Sequence, residues 1–352
     1  MSGNDAAGDA EGNDQPSDRL RERAAGSQTR LWFLLEADRR LVTGLLLGVV
    51  FLALVLVGYL YPTAEGSLRT SDSVDTLFQA MLGATITGVT LVLTLNQLVL
   101  SQELGAVGDQ RERMSGAMSF REDAADVVDA PVSPPRPAQF LRALVQVAGD
   151  RAATLREAVD ADDPDLADAV EDLTASLTGN AERVAGSLDD AQFGEFEVLS
   201  AALNFNYSWK IFTARRIRER FGDELTDEET TALDELVEVL ELFGPAREHF
   251  KTLYFQWELI DLSRTIMAAA VPSLVVSAGM LLFFNDATYH VTVFGVETLV
   301  LVFATTTTLA LLPFFILLAY VLRIATVTKH TLSIGPFILR ETDQVEEVEW
   351  DG

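Results

Sequence analysis

The chain has no cysteine, and only three of its 352 residues are histidine. Without cysteine, disulfide bonds, thiol catalysis and cysteine-ligated metals are excluded. The histidines, His249, His290 and His330, lie far apart, and no HExxH-like spacing connects them. We therefore expect no metal and no other cofactor.

The motifs of common enzyme classes are also missing. The sequence contains no phosphate-binding glycine loop, no Walker sequence and no nucleophile elbow. Five aspartates between residues 160 and 168 superficially resemble a calcium loop. Pro164, however, occupies a position that needs a flexible turn, and the bidentate glutamate is absent. We interpret this run as a solvated acidic turn and predict that the protein is not an enzyme.

Positive charge is scarce, and lysine is nearly absent. Asp and Glu total 53 against 26 Lys and Arg, so the net charge is −27, and the only lysines are Lys210, Lys251 and Lys329. A strongly acidic, lysine-poor surface is typical of proteins that work in molar salt, where screening weakens self-repulsion. We interpret the acidity as a halophilic adaptation to the solvent, and it argues against a nucleic-acid partner.

Four long apolar runs contrast with this acidic composition. Each is long enough, at about 1.5 Å per helical residue, to cross a hydrocarbon layer of about 30 Å. None carries a charged residue in its central turns, which disfavours ion pumps and voltage sensors. The runs are Leu41–Tyr61, Thr76–Ser101, Thr265–Phe284 and Thr298–Leu322.

The charges around these runs predict their orientation. Arginines precede the first run and follow the second and the fourth, whereas the short connections at 62–75 and 285–297 are net negative. Positive residues are retained on the cytoplasmic side of a membrane. We therefore predict a multi-pass protein of the cell membrane with both termini in the cytoplasm.

These features predict an all-α protein with four transmembrane helices, two N-terminal and two C-terminal. A helical cytoplasmic domain is inserted between the second span and the third. The predicted segments are a disordered acidic tail (1–29), the first transmembrane pair (30–101), the cytoplasmic domain (102–263), the second transmembrane pair (264–322) and a cytoplasmic tail (323–352).

Within the cytoplasmic domain, helical periodicity predicts helices over about 138–160, 164–190 and 193–221. A capping box at Thr226 predicts the start of a fourth helix, which Gly244 and Pro245 would close. Pro245 would then open a fifth helix that continues without a break into the third span.

The second span collects polar side chains on one face. Steps of three or four residues place them together on an α-helix. Two interpretations are open: a seam where helices pack closely, or the lining of a water-filled path. The residues are Thr87, Thr90, Thr94, Gln97 and Ser101.

One basic cluster stands out in the acidic domain, at the end of the predicted third helix. It consists of Arg215, Arg216, Arg218 and Arg220. The arginines would complement the helix dipole and pair with neighbouring acids, or they would contact anionic headgroups or an acidic partner. The aromatic residues just upstream, Phe205 to Phe212, fit a core better than a ligand platform.

Two segments carry a resemblance to a known family. PAREHFKTLYFQWELIDLSR (Pro245–Arg264) and NQLVLSQEL (Asn96–Leu104) resemble an uncharacterised integral-membrane protein family of halophilic archaea, over most of the chain after residue 40. The order of spans is also loosely similar to that of bestrophin-type anion channels, which are ligand-gated pentamers. The aromatic neck triplet and the acidic calcium clasp of those channels are missing here, so selectivity and stoichiometry do not transfer.

The sequence thus leaves two functional hypotheses. The first is an oligomeric ion channel whose path is lined by the polar face of the second span, with its opening biased by the cytoplasmic helices. The alternative is a non-conducting membrane scaffold or sensor whose cytoplasmic domain binds a protein partner. Both predict contact with the lipid bilayer, and the channel requires a homo-oligomer because four helices make only a small bundle.

Overall fold

The structure is a computed structural model that describes residues 37–61, 64–69, 71–159, 164–189, 191, 196–285 and 288–331. The predicted tail at 1–29, most of the predicted C-terminal tail and three of the five aspartates at 160–168 lie outside the described residues.

The described chain is mostly helical, as predicted. In chain order the helices are α1 (Arg39–Leu60), α2 (Ala64–Arg69), α3 (Ser71–Glu103), α4 (Val107–Val127), α5 (Pro137–Ala158), α6 (Pro164–Asp189), α7 (Phe196–Leu203), α8 (Tyr207–Phe221), α9 (Asp227–Phe283) and α10 (Thr298–Thr331). Four of them, α1, α3, α9 and α10, are long and apolar enough to cross a membrane.

A small β-hairpin, which the sequence did not predict, lies between α9 and α10. Strands β1 (Thr292–Val293) and β2 (Val296–Glu297) pair antiparallel. The two residues between them have positive φ angles, 52° at Phe294 and 81° at Gly295. Such two-residue turns usually carry Asn-Gly or Asp-Gly. Phenylalanine at the first position is unusual, so the turn has no clear sequence signal.

The chain forms two compact units. The helical unit contains the described residues of Met118–Phe250, and the membrane unit contains those of Gly26–Ala117 and Lys251–Lys329. The divisions fall inside α4 and α9.

The helical unit has an apolar core built by the end of α4, by α5 to α8 and by the first part of α9. Leu141 and Leu144 of α5, Leu177 of α6 and Leu236 of α9 are all fully buried in it. Helices α5 and α6 approach closely because α5 carries Gly149, where an added Cβ would lie 3.2 Å from the Cβ of Ala181. Both helices match their predicted ranges within two residues.

The predicted helix at 193–221 is wrong, because α7 and α8 are separate helices. The chain turns at Asn204, whose carbonyl accepts a hydrogen bond of 2.9 Å from the side chain of Asn180. The next residue, Phe205, is completely buried and meets Phe243 edge-on, with ring centroids 4.8 Å apart. Burial of this aromatic ring stabilises the break, and local helical periodicity does not report it.

The predicted helix end at Gly244 is also wrong, since α9 runs unbroken from Asp227 to Phe283. Gly244 lies against the ring of Tyr207, and an added Cβ would be 2.9 Å from that ring. The glycine therefore permits close packing with α8 and does not cap a helix. The capping box is confirmed: Thr226 N–H donates to Glu229 Oε2 at 2.7 Å, and Glu229 N–H donates to Thr226 Oγ1 at 3.2 Å.

In the membrane unit, α3, α9 and α10 share a buried cluster that includes Val92, Ile266 and Ile316. Helix α1 packs on α10 through Val42 and Ala319. Near the other end of α1, Gly58 faces Val300 of α10, and a Cβ on Gly58 would lie 2.4 Å from Val300 Cγ1. A glycine is therefore required at this contact.

We expect Gly58→Ala to destabilise the membrane unit. Overpacking against the stiff Val300 side chain costs about 1–3 kcal/mol, which outweighs the gain of about 1 kcal/mol in helix propensity. Thermal unfolding in detergent measures the effect. The matched control is Gly44→Ala in the same helix, where no atom lies within 4 Å of an added Cβ. Equal melting temperatures for the two variants would contradict the prediction.

Candidate functional site

The polar face predicted on the second span lies on the outside of the membrane unit. All five of its side chains are exposed: Thr87, Thr90, Thr94, Gln97 and Ser101. The opposite side of α3 packs inward through Val74, Phe78, Thr85 and Val92. The face is therefore turned away from the other described helices of its own chain.

The hydroxyl groups on this face are satisfied within α3. Thr87, Thr90 and Thr94 each donate to the carbonyl four residues earlier, at 2.9 Å, and Ser101 donates to the Leu98 carbonyl at 2.7 Å. Gln97 has no hydrogen-bond partner among the residues that the structure describes. Next to hydrocarbon, threonine and serine bonded in this way would cost little, whereas the amide of Gln97 would need a partner that the described residues do not supply.

A second polar site joins three helices at one end of the membrane unit, and we call it the arginine–carboxylate cluster. It consists of Arg39 at the start of α1, Glu258 and Asp261 of α9, and Tyr320 and Arg323 of α10. Arg39 Nη2 lies 2.5 Å from Glu258 Oε1, and Arg39 Nη1 lies 3.6 Å from Asp261 Oδ2. Its guanidinium also lies 4.6 Å from the centroid of the Tyr320 ring, and the Tyr320 hydroxyl donates to Asp261.

The members of this cluster differ in exposure. The side chain of Glu258 is 3% exposed, that of Arg39 is 21% exposed and that of Asp261 is 57% exposed. Arg323 is buried and donates to the carbonyl of Ala37, just before α1 begins, at 2.5 Å. The cluster therefore fastens the start of α1 to α9 and α10 by charged hydrogen bonds.

Sequence reasoning missed this cluster. The arginines at the ends of the spans indicated only the orientation of the spans. Because Arg39 and Glu258 are 219 residues apart, no local spacing connects them. The sequence does contain one signal. Glu258 and Asp261 lie one helical turn apart, shortly before the uncharged run that begins at Thr265. Arg39 and Arg323 also lie next to the ends of uncharged runs, so all four side chains are close to the same depth.

The basic cluster of the helical unit is largely paired. Arg215 and Arg218 of α8 form ion pairs with Glu241 and Asp234 of α9, and Arg220 lies 3.4 Å from Asp165 of α6. Arg216 is exposed. Pairing with neighbouring acids, one of the two predicted roles, is therefore present for three of the four arginines. The pairs are exposed, and each contributes at most about 1 kcal/mol.

Two further predictions concern the aromatic residues of the helical unit and metal binding. Of the aromatic residues expected in a core, Phe205 and Tyr207 are buried in the helical unit, whereas Trp209 and Phe212 are only half-buried. Among the described residues, no group of three or more His, Asp or Glu side chains is arranged to hold a metal ion.

The fold and these sites define a helical protein with four candidate membrane spans. The chain belongs to a family of unknown function, DUF7972, whose model matches residues 5–352. This confirms the predicted membership of an uncharacterised family. No curated protein and no solved structure matches the chain.

We expect Glu258→Gln to destabilise the membrane unit strongly. Removing one partner of a buried ion pair costs about 3–5 kcal/mol, and the value here should fall at the lower end because Arg39 is partly exposed. Thermal unfolding in detergent measures the loss.

Asp261→Asn is the matched control, since Asp261 is exposed and lies farther from the same arginine; its effect should stay below about 1 kcal/mol. The double variant Arg39→Met with Glu258→Met should lose less stability than the two single variants added together. Strictly additive losses would show that the two groups do not interact.

Proposed function

We propose that this protein is an oligomeric membrane channel whose path is lined by the outward polar face of α3. The observation that supports the proposal is the exposure of Gln97 and its neighbouring hydroxyls on the outside of the chain's own bundle. An unpaired amide in hydrocarbon costs several kcal/mol. A second copy of the chain, or water, would remove that cost.

The length of the polar face suits a path through a bilayer. Thr87 and Ser101 are 14 residues apart, a helical rise of about 21 Å, against a hydrocarbon thickness of about 30 Å. Hydroxyls that donate to their own backbone still offer lone pairs to a passing molecule or ion. A lining of hydroxyls and amides without charge is compatible with conduction.

The remaining predictions complete this proposal. Both chain termini and the helical unit would be cytoplasmic, in accordance with the arginines that border the spans. The net charge of −27 would be an adaptation to molar salt, as in the halophilic archaeal family that the sequence resembles. The span order is loosely similar to that of bestrophin-type channels. Neither an enzymatic activity nor a nucleic-acid partner forms part of the proposal.

The alternative is a non-conducting scaffold or sensor. The threonine hydroxyls of α3 are already bonded within their helix, which suits a face that packs closely against another copy. In that case the helical unit would bind a protein partner, and exposed arginines such as Arg216 would be available for the contact.

Ion flux through liposomes that contain the purified protein separates the two functions. If α3 lines a pore, Gln97→Leu and Thr94→Val should change the flux several-fold while the oligomer stays intact, because they alter only the lining. If α3 is a packing seam, the protein gives no ion flux. The same variants should then change the dissociation constant or the melting temperature of the oligomer.

The matched control is Leu95→Val, which alters an exposed side chain on another face of α3. It should leave both flux and assembly unchanged. An intact oligomer whose flux equals that of protein-free liposomes would rule out the channel. Wild-type flux in both lining variants would rule out α3 as its lining.

A further inference from the structure

Several hydroxyl side chains are buried in the membrane unit, and four of them lie on α3, α9 and α10 around one level of the bundle. We call these four the buried hydroxyl cluster: Thr85 of α3, Ser273 and Ser277 of α9 and Thr307 of α10. They are distinct from the outward face of α3, because Thr85 lies on the inner side of that helix.

Half of this cluster is hydrogen-bonded between helices. Ser273 Oγ donates to the carbonyl of Ala310 at 2.8 Å, and Thr85 Oγ1 lies 3.5 Å from Ser273 Oγ. Pro313, one turn after Ala310, removes a backbone donor from α10. Ser/Thr side chains and ordered water commonly satisfy the backbone groups near such prolines in membrane helices.

The other half of the cluster has no partner. Ser277 Oγ and Thr307 Oγ1 are buried and make no hydrogen bond within the described chain. The neighbouring threonines behave differently: Thr305, Thr306 and Thr308 each donate to the carbonyl four residues earlier in α10. Four consecutive threonines point around a helix, and the one that points inward is the one without a bond.

The two unpaired hydroxyls lie at the same level of the bundle. Helices α9 and α10 are antiparallel neighbours, and the Ser273–Ala310 hydrogen bond fixes their register. One turn further along α9 is Ser277, and one turn back along α10 is Thr307. The two side chains are therefore at the same seam, and no hydrogen bond joins them.

This level is far from water. The charged side chains nearest to Thr307 in sequence are Glu297, which is 10 residues before it and just ahead of α10, and Arg323, which is 16 residues after it. These separations correspond to about 15 Å and about 24 Å of helix. Two buried hydroxyls without partners at this depth are costly.

We propose that the seam between α9 and α10 binds a water molecule that bridges Ser277 Oγ and Thr307 Oγ1. A hydroxyl donates one hydrogen bond and accepts others, so one water can satisfy both groups. Water fits better than a cation, because the cluster contains no carboxylate and the Ala310 carbonyl is already bonded to Ser273. The seam is thus a hydrated position within a single chain, separate from the face of α3 proposed to line a path.

The sign of a stability change tests this proposal. Thr307→Val removes the hydroxyl and keeps the shape of the side chain. If water bridges the pair, this variant and Ser277→Ala each lower the melting temperature in detergent, because the water and the remaining hydroxyl lose a partner. If the seam is dry, Thr307→Val removes an unpaired polar group and raises the melting temperature.

Thr308→Val is the matched control, since its hydroxyl bonds only to its own helix; its melting temperature should stay near that of the wild type. The double variant Ser277→Ala with Thr307→Val should lose less than the sum of the single losses, because it releases the water. An unchanged or raised melting temperature in Thr307→Val overturns the proposal.

An experimental structure of the wild-type protein at a resolution that shows ordered water provides an independent measurement. Water density within hydrogen-bonding distance of both hydroxyls supports the proposal. A direct hydrogen bond between Ser277 and Thr307, or an empty seam, overturns it.

Discussion

The membrane unit depends on one constraint: polar groups need hydrogen-bond partners where water is absent. Its helices meet this constraint in three ways. Threonines on the outward face of α3 donate to their own backbone, Ser273 donates across to the Ala310 carbonyl, and charged side chains of α1, α9 and α10 gather at one end of the membrane unit. Among the groups that no described residue satisfies are the Gln97 amide and the Ser277 and Thr307 hydroxyls, and these mark where another molecule is needed.

Much of the fold could be predicted from local patterns. The four apolar runs, the Thr226 capping box and helices α5 and α6 follow from periodicity and capping residues, which act over a few positions. The failures have tertiary causes. The helix breaks at Asn204–Phe205, where Phe205 packs against the distant ring of Phe243, and Gly244 serves close packing against Tyr207 inside a continuous helix. Neither contact is visible in local sequence.

The candidate sites were also predictable only where local spacing defines them. Spacing shows that the polar residues between Thr87 and Ser101 share one face of α3. It does not show whether that face turns toward the chain's own helices, because helical periodicity contains no information about neighbours. The arginine–carboxylate cluster could not be assembled from spacing, since its members come from three helices. Four consecutive threonines in α10 imply that at least one hydroxyl points inward. Only the packing of α9 and α10 identifies that hydroxyl as the one on Thr307.

Helix α1 is attached to its neighbours near both ends. The Arg39–Glu258 pair fixes its start, and the tight contact of Gly58 with Val300 fixes it 19 residues later, about 28 Å along the axis. Much of its surface between these points is exposed leucine and valine. That length is close to the thickness of a hydrocarbon layer. In a thinner bilayer, α1 would tilt together with α9 and α10, whereas a thicker bilayer would have to thin around it. The tilt of α1 would therefore depend on the chain length of the surrounding lipids.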